Sequence, residues 1–473
     1  MRYLGSITLF LFAACLLPLQ VRGQTITRDE LLDRLKRVHP FFEIEELAIQ
    51  IEEEGRKSLL GARDWNVLSS VNYLHEEPAI AIAGPEKTDA FSVEGGVEKV
   101  FWNTGGRLTA GFSSSHAKIT IDPIFQVPDT WYQNQFAVTY LHPLLKNRHG
   151  FLDRLQYELK QYDVDFSEVL AFENKEDFLA DVAMQFLDWV YFTEEKRIIQ
   201  ERLRLSQEEF ARTGKKRQAH LVEQADLIRA ENAVTTWKQN RVLSESRWKA
   251  QQAVLAVLTK DDDLYGLIPE FPLYESEELP PLGAAVTQLI ESSRLIKALG
   301  IRTEQLEYTR RGREEALKPD LSLVTQFNIK AAEQEYGESF KMDKPDAFVG
   351  LQFSVPLGNR TLKHDITRTD LEIRQLEKQV EGLTIDLVAA LTEVYIRIEE
   401  LEKVLVLNRE HIESAQERTA EELKLYNQGR GELTFVIQSR DNEQFAKLTL
   451  ASTARTYHKL IVQYRSLLDE FYK

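Results

Sequence analysis

The sequence has little of the chemistry on which most enzymes and disulfide-bonded proteins depend. Cys15 is the only cysteine and lies in an apolar N-terminal stretch, so the remainder of the chain offers no disulfide and no thiolate metal site. The nine histidines include no H-E-x-x-H spacing, and there is no nucleophile elbow or phosphate-binding glycine loop. Gly105-Gly106 lies between two predicted strands, which is typical of a turn. The sequence therefore predicts no catalytic residue, metal or cofactor.

Basic charge is also scarce. There are 59 lysines and arginines against 75 aspartates and glutamates, and the formal net charge is −16. This balance argues against a nucleic-acid partner, because neutralising phosphates requires a basic surface. After the N-terminus, no segment approaches 18 consecutive apolar residues, so no membrane-spanning helix is predicted. Any membrane contact must therefore come from strands.

The N-terminus has the pattern of a secretory signal peptide at residues 1–23. Met1-Arg2 precedes an apolar stretch from Tyr3 to Leu19, and Val21-Arg22-Gly23 offers a cleavage site. Cleavage would remove two arginines and bring the net charge to −18. A competing interpretation treats Phe12-Ala13-Ala14-Cys15 as a lipoprotein site, with Cys15 lipidated.

The sequence predicts two long helical hairpins, which account for much of the chain. From Thr361 to about Tyr426 there is no proline, and apolar residues recur at spacings of three and four. This is a coiled-coil seam with a period near 3.5, and such a helix would be ~100 Å long. It breaks at Gln428-Gly429-Arg430-Gly431, after which a second helical run continues to the C-terminus. An equivalent hairpin spans roughly 150–258, with its predicted break at 213–216.

The hairpins belong to an internal repeat. Phe41, Ala62 and Tyr73 align with Leu295, Ala316 and Phe327 at an offset of 254, whereas Gly214 and Gly429 align at 215. The sequence thus predicts a first repeat at 24–259, a proline-rich linker at 260–282 and a second repeat at 283–473. The offset falls from 254 before the later strands to 215 at the tip glycines, which indicates an insertion in the first repeat. The inserted segment contains the predicted hairpin around Asn103–Gly106.

Each repeat also contains segments in which apolar and polar residues alternate with the period of a strand. The predicted strands are about 64–75, 91–101, 106–117 and 133–142 in the first repeat, and 320–330 and 347–357 in the second. Strands of this length cross an outer membrane when tilted. One chain has too few strands to enclose a wide pore, and unpaired sheet edges are not tolerated in lipid. Several copies must therefore combine their strands in one barrel.

At this point the sequence resembles the TolC family of outer-membrane efflux proteins over essentially the whole mature chain. The resemblance is carried by His39-Pro40, the 62–73 helix-to-strand passage, the strand ends at 141–145 and 355–358, and the tip glycines Gly214 and Gly429. The sequence departs from the family at His39, where asparagine is usual, and has Ser293-Arg294 at the corresponding place in the second repeat.

The resemblance implies a mainly α fold with membrane β-strands, built as a trimeric α-barrel plus β-barrel from two repeats per chain. Four strands per chain would make a twelve-stranded barrel in the outer membrane, and the inserted hairpin would either enlarge this barrel or form an appendage. The implied function is a passive exit duct of a tripartite efflux or type I secretion system. Its implied partners are further copies of itself, outer-membrane lipid, a periplasmic adaptor and an inner-membrane pump.

The resemblance also suggests site residues. The hairpin tips would dock the adaptor or line a periplasmic constriction; the tip residues are Gly214, Lys215, Arg217, Gly429, Arg430, Gly431 and Glu432. The best-known family member has an aspartate pair six and nine residues after the second tip glycine, where this sequence has Phe435 and Gln438. Phe435 is therefore either an apolar constriction or part of the helix–helix core.

The main alternative is a periplasmic coiled-coil scaffold or adaptor without a channel. It predicts no membrane strands. Aromatic residues near the ends of the predicted strands argue against it, because membrane barrels carry aromatic girdles at both interfaces. These residues are Trp65, Tyr73, Phe91, Trp102, Trp131 and Tyr140.

Overall fold

The computed structural model describes residues 25–79, 85–121 and 128–472. The predicted signal peptide and Cys15 lie outside these residues. Among the described residues, none of the helices is long and apolar enough to cross a membrane.

The chain contains the same series of helices twice. The first half contains β1 (Thr25–Ile26), α1 (Arg28–Val38), α2 (Pro40–Ser58), β2 (Asn66–Glu76), β3 (Lys87–Phe101), β4 (Gly106–Thr120), β5 (Thr130–Pro143), α3 (Phe151–Gln218) and α4 (Gln224–Thr259). The second half contains β6 (Ile268–Pro269), α5 (Leu282–Ser292), α6 (Arg294–Leu317), β7 (Asp320–Glu333), α7 (Tyr336–Ser339), β8 (Lys344–Ser354), α8 (Arg360–Asn427) and α9 (Leu433–Leu467). Helices α1 and α5 have 11 residues each, and α3 and α8 have 68 each. The two structural repeats are therefore present in the fold.

The first helix pair of each half is interrupted at equivalent places. Helix α1 begins at a capping box, in which the Thr27 side chain accepts from the Glu30 amide and Glu30 bonds back to Thr27. It ends before His39, and Pro40 begins α2 because its fixed φ suits the first turn of a helix. In the second half, the Ser293 side chain caps α6 between two equivalent helices.

Among the described residues, the six long strands form one antiparallel sheet in the order β2-β3-β4-β5-β7-β8, and the short strands β1 and β6 pair separately as a parallel two-stranded sheet. The hairpin β3–β4, which the repeat analysis identified as an insertion, lies inside this sheet between β2 and β5 and is not an appendage. Within residues 25–79, 85–121 and 128–472, no strand pairs with the outer edge of β2 or of β8. The sheet is therefore open at both edges in a single chain.

Several strand bounds differ from those that the alternation predicts. Strand β8 begins three residues earlier than the predicted 347–357. It also ends three residues earlier, before Pro356, which has no amide hydrogen for the ladder. Strands β3 and β4 extend beyond the predicted ranges to the pair Lys87–Thr120. These ends are polar, so backbone pairing rather than apolar alternation defines them.

The chain divides into two compact units, and the division falls within α3, α8 and α9 and just after the first residue of α2. One unit comprises the described residues up to 40 together with 178–279 and 394–464. Its core is built from helical side chains that are fully or almost fully buried, including Leu31, Leu35, Leu179, Phe186, Leu187, Trp189, Leu255 and Leu264. The other comprises 41–177, 280–393 and 465–472, and it contains the whole six-stranded sheet.

Candidate functional site

The first helical hairpin reverses later than its glycine predicts. Helix α3 continues through Gly214 to Gln218, so Gly214, Lys215 and Arg217 lie in its last turns and the predicted break at 213–216 is wrong. A single glycine costs about 1 kcal/mol in a helix, which tertiary packing overcomes. The chain reverses at 219–223, where His220 adopts a positive φ of 54°.

The second hairpin reverses at Gln428–Glu432, between α8 and α9. Gly429 has a positive φ of 72°, and the amides of Arg430 and Gly431 both donate to the carbonyl of Leu425. The side chains of Arg430 and Glu432 are exposed. The four predicted tip residues of this hairpin thus lie at or beside the reversal itself.

The two tips contact each other. The Lys216 ammonium lies 3.7 Å from the centroid of the Tyr426 ring, a cation–π contact that links α3 to α8. Burial, reinforced by Arg212, lowers the pKa of Lys216. Beneath this contact, Ala230, Tyr426, Leu433 and Val436 form a small apolar core. The tips are therefore one structural unit in which the four long helices meet.

A buried ion network lies near this tip core. Arg202 of α3 is fully buried; its Nε donates to Asp441 Oδ1 at 2.9 Å, and it also pairs with Glu209. Arg440 pairs with Glu209 at 2.8 Å, and Trp237 Nε1 donates to Asp441 Oδ1 at 3.1 Å. Burial raises the pKa of Glu209 in spite of the two arginines. The network joins α3, α4 and α9.

The local sequence pattern does not by itself predict this network. The available signal was the spacing of Arg202 and Glu209, seven residues apart on one helix face, beside the buried Ile199 and Leu203. A charged pair on an apolar stripe must find partners on neighbouring helices, because an unpaired buried charge is costly.

Phe435 and Gln438 lie together on an exposed face of α9. Phe435 is 45% exposed, whereas Leu433 and Val436, on the opposite side of the helix, are almost completely buried. Phe445 continues the exposed face further along the helix. Phe435 is therefore not part of the helix–helix core of a single chain, and its role in a constriction stays a prediction.

The ladder register gives the sheet two chemically different faces. Each residue shares a face with its directly opposite partners on neighbouring strands. One face, which we call the apolar face, contains Val67, Val71, Tyr73, Phe91, Val93, Val97, Phe112, Phe136, Val138, Phe327, Ile329, Val349 and Leu351. The other, which we call the polar face, contains Ser70, Asn72, Glu94, Glu98, Thr109, Ser113, Ser115, Gln133, Gln135, Thr139, Gln326, Asn328 and Gln352.

Many side chains of the apolar face have no cover. Val71 is 64% exposed, Val349 is 72% exposed, and Tyr73, Leu351 and Phe327 are each about half exposed or more. On the polar face, Arg107 pairs with Glu98 and Lys330 with Asp346, and Glu94 adds a further acidic side chain. The sheet thus presents a largely uncovered apolar surface on one side and a polar, mildly acidic surface on the other.

The aromatic residues at the strand ends do not all lie on the surface. Tyr73 and Phe91 are directly opposite each other on β2 and β3 and are exposed, and Trp65 is exposed just before β2. Trp102 is instead buried in the β3–β4 turn, with its ring 5.6 Å from that of Tyr157. The predicted girdle position of Trp102 is therefore wrong, because helix α3 packs over that turn.

Comparison with solved structures identifies the fold. The chain superposes on the outer membrane protein VceC of Vibrio cholerae with a TM-score of 0.67, 10% identity and coverage of 93% of this chain and 96% of VceC. For the outer membrane channel CmeC of Campylobacter jejuni the TM-score is 0.66, with 12% identity and 94% and 86% coverage. A membrane protein of Pseudomonas aeruginosa gives 0.69, with 14% identity and 94% and 91% coverage.

The chain has the TolC-like fold. No protein-family model matches it, and a search of curated proteins finds no match. The shared TolC-like fold accounts for the two helix–strand–hairpin repeats and for a sheet whose edges stay open in one chain. Across the part of the chain that is described, no group of three or more histidine, cysteine, aspartate or glutamate side chains is arranged to hold a metal ion.

Proposed function

We propose that this protein is an outer-membrane exit duct of a tripartite efflux or type I secretion system, which passively conducts substrates from the periplasm to the outside. The observation that carries the proposal is the two-faced sheet, in which an uncovered apolar face lies opposite a polar face. Lipid is the solvent that suits the apolar face, since moving such side chains out of water is worth about 25 cal/mol per Å². The polar face then lines a water-filled passage.

The open edges support a homotrimer. In a bilayer, every unpaired backbone group costs several kcal/mol, so the free edges of β2 and β8 must be paired. A second copy of the chain supplies the complementary edge, and cyclic repetition of that contact closes a ring. We take the ring to have three copies, as the resemblance to the TolC family implies.

The hairpin tips are the proposed docking surface for a periplasmic adaptor, which would connect the duct to an inner-membrane pump. Lys215 and Arg430 are exposed there, and Lys216 and Arg217 are partly exposed, so the tip is basic in an acidic protein. Such a surface favours a partner with acidic side chains. Gly214, Gly429, Gly431 and Glu432 would shape this surface. A periplasmic scaffold without a channel would leave the two-faced sheet without a role.

The first experiment is fractionation of the source cells, followed by the native mass of the protein in mild detergent. We expect a trimer in the outer-membrane fraction, which forms channels when reconstituted into planar bilayers. A soluble periplasmic monomer or dimer would contradict the proposal and would favour the scaffold.

Phe435 and Gln438 are the proposed constriction. We expect Phe435→Ala to raise the single-channel conductance of the isolated protein, because it removes a large side chain from an exposed helix face near the tip. Phe445→Ala is the matched control, since it removes an exposed phenylalanine from the same helix ten residues further along. An unchanged conductance in Phe435→Ala would mean that this residue is not the gate.

A further inference from the structure

We propose that the inserted hairpin β3–β4 enlarges the membrane pore of the trimer from twelve strands to eighteen, so that its outer part admits polar solutes too large for a twelve-stranded barrel. This inference rests on the proposed function, because it concerns the pore of the assembled duct.

The hairpin is an integral part of the sheet. Strand β3 pairs with β2 along the whole of β2, from Asn66–Glu98 to Glu76–Thr88. Strand β4 pairs with β5 from Arg107–Leu141 to Lys118–Thr130. The hairpin therefore separates β2 from β5, and a barrel built from this chain without β3 and β4 would require both of these ladders to break.

The two free edges fit each other. Strands β2 and β8 each have 11 residues. Because the sheet has an even number of antiparallel strands, β8 of one copy runs antiparallel to β2 of the next. Val71 and Val349 are the middle residues of these strands, and both lie on the apolar face. Full overlap of the edges therefore keeps the apolar and polar faces continuous from one copy to the next.

The register across the sheet indicates the tilt that a membrane barrel needs. Ladder partners lead from Ser70 in β2 through Glu94, Ser113, Gln135 and Lys330 to Lys344, the first residue of β8. At full overlap of the two free edges, Gly350, six residues beyond Lys344, pairs with Ser70 of the next copy. One copy therefore accumulates a shift of six residues over six strand spacings, five within its own sheet and one to the next copy. Six residues span ~20 Å and six strand spacings ~29 Å, which corresponds to a tilt of ~35°.

This tilt fixes the width of the pore. Eighteen strands tilted by ~35° enclose a backbone cylinder of ~34 Å diameter, whereas twelve strands enclose ~22 Å. Side chains occupy about 5 Å on each side, which leaves free widths of ~24 Å and ~12 Å respectively. An eighteen-stranded barrel thus offers roughly four times the open cross-section.

The lining of the polar face fits the passage of large polar solutes. Gly96, Gly111 and Ala137 line a shallow depression of 420 Å³ on this face and take up little space. Hydroxyl and amide side chains and the carboxylate of Glu94 line the same depression, whereas Glu98 and Asp346 are paired with Arg107 and Lys330. The lining therefore offers hydrogen bonds and an acidic group from each copy, which favours cationic over anionic solutes.

Engineered disulfides test the closure of the barrel between copies. Val71→Cys combined with Val349→Cys, or with Leu351→Cys for a register shifted by two residues, should yield covalent trimers under oxidising conditions. Val71→Cys with Gly350→Cys is the control, because these side chains point to opposite faces. Wild type shows any contribution of Cys15. If Val71→Cys formed no disulfide between copies of the trimer with either Val349→Cys or Leu351→Cys, the pairing of β2 with β8 would be contradicted.

Labelling of engineered cysteines from outside the cell tests the width of the pore. Ser113→Cys places a thiol on the polar face of β4, and Ser114→Cys places one on the apolar face of the same strand. In intact cells, we expect Ser113→Cys to react with maleimide polyethylene glycols up to a width of ~24 Å. We expect Ser114→Cys not to react, because it lies on the apolar face, where its ladder partner Asn134 is buried and bonded to Ser339. A trimeric channel in which Ser113→Cys excludes reagents wider than ~12 Å would refute the enlarged barrel, whereas absence of any trimer would refute the proposed function.

Discussion

The buried ion network near the tips makes a sharp prediction about stability. Arg202→Met keeps much of the length of the side chain but leaves the partly buried Asp441 without its cation. Removing one partner of a buried ion pair costs 3–5 kcal/mol. Asp441 is 31% exposed, and Arg440 still neutralises Glu209, so we place the loss at the lower end, about 3 kcal/mol.

Arg204 provides a matched control two residues along the same helix. Its side chain is 54% exposed, and it pairs with Glu201 and Glu208 on the surface of α3. Water screens exposed ion pairs, which therefore add little to stability, so Arg204→Met should have a small effect. The two variants would be compared by urea unfolding of the detergent-solubilised protein, followed by far-UV circular dichroism.

A third variant isolates the cause of the loss. Adding Asp441→Asn to Arg202→Met removes the unpaired charge but keeps an oxygen that accepts the Trp237 indole N–H, so part of the lost stability should return. The reasoning would be refuted if Arg202→Met were no more destabilising than Arg204→Met, or if Asp441→Asn lowered stability further.

The remaining predictions concern two glycines and one acidic side chain. Gly431→Ala should destabilise the protein by about 1 kcal/mol, because its Cβ would lie 3.0 Å from the Tyr426 amide nitrogen, whereas Gly214→Ala, in open helical surroundings, should stabilise it by up to about 1 kcal/mol in thermal unfolding. Burial and, secondarily, Asp469 raise the pKa of Glu173 from 4.5 to about 7. Wild type should therefore lose stability as the pH rises through this range, and Glu173→Gln should be more stable by about 1 kcal/mol at pH 8, after allowance for solvent screening, but not below pH 4.5. Equal pH profiles of wild type and Glu173→Gln would contradict this assignment.

Much of the local architecture follows from the sequence by itself. Apolar residues at spacings of three and four specify the long helices because those positions share one face. Pro40 and Ser293 interrupt the paired short helices because proline and a capping side chain both favour the first turn of a new helix. Period-two alternation located all the long strands, since successive side chains of a strand point to opposite faces of the sheet.

Tertiary structure decided what depends on distant partners. The alternation of β3 and β4 is the same whether they form an appendage or the middle of a sheet, and only the ladders to β2 and β5 select the second arrangement. Gly214 is tolerated within α3 because packing outweighs its helix propensity. Arg202 is buried because Asp441, more than two hundred residues away, is present to pair with it. Such pairings depend on groups that the chain brings together only when it folds.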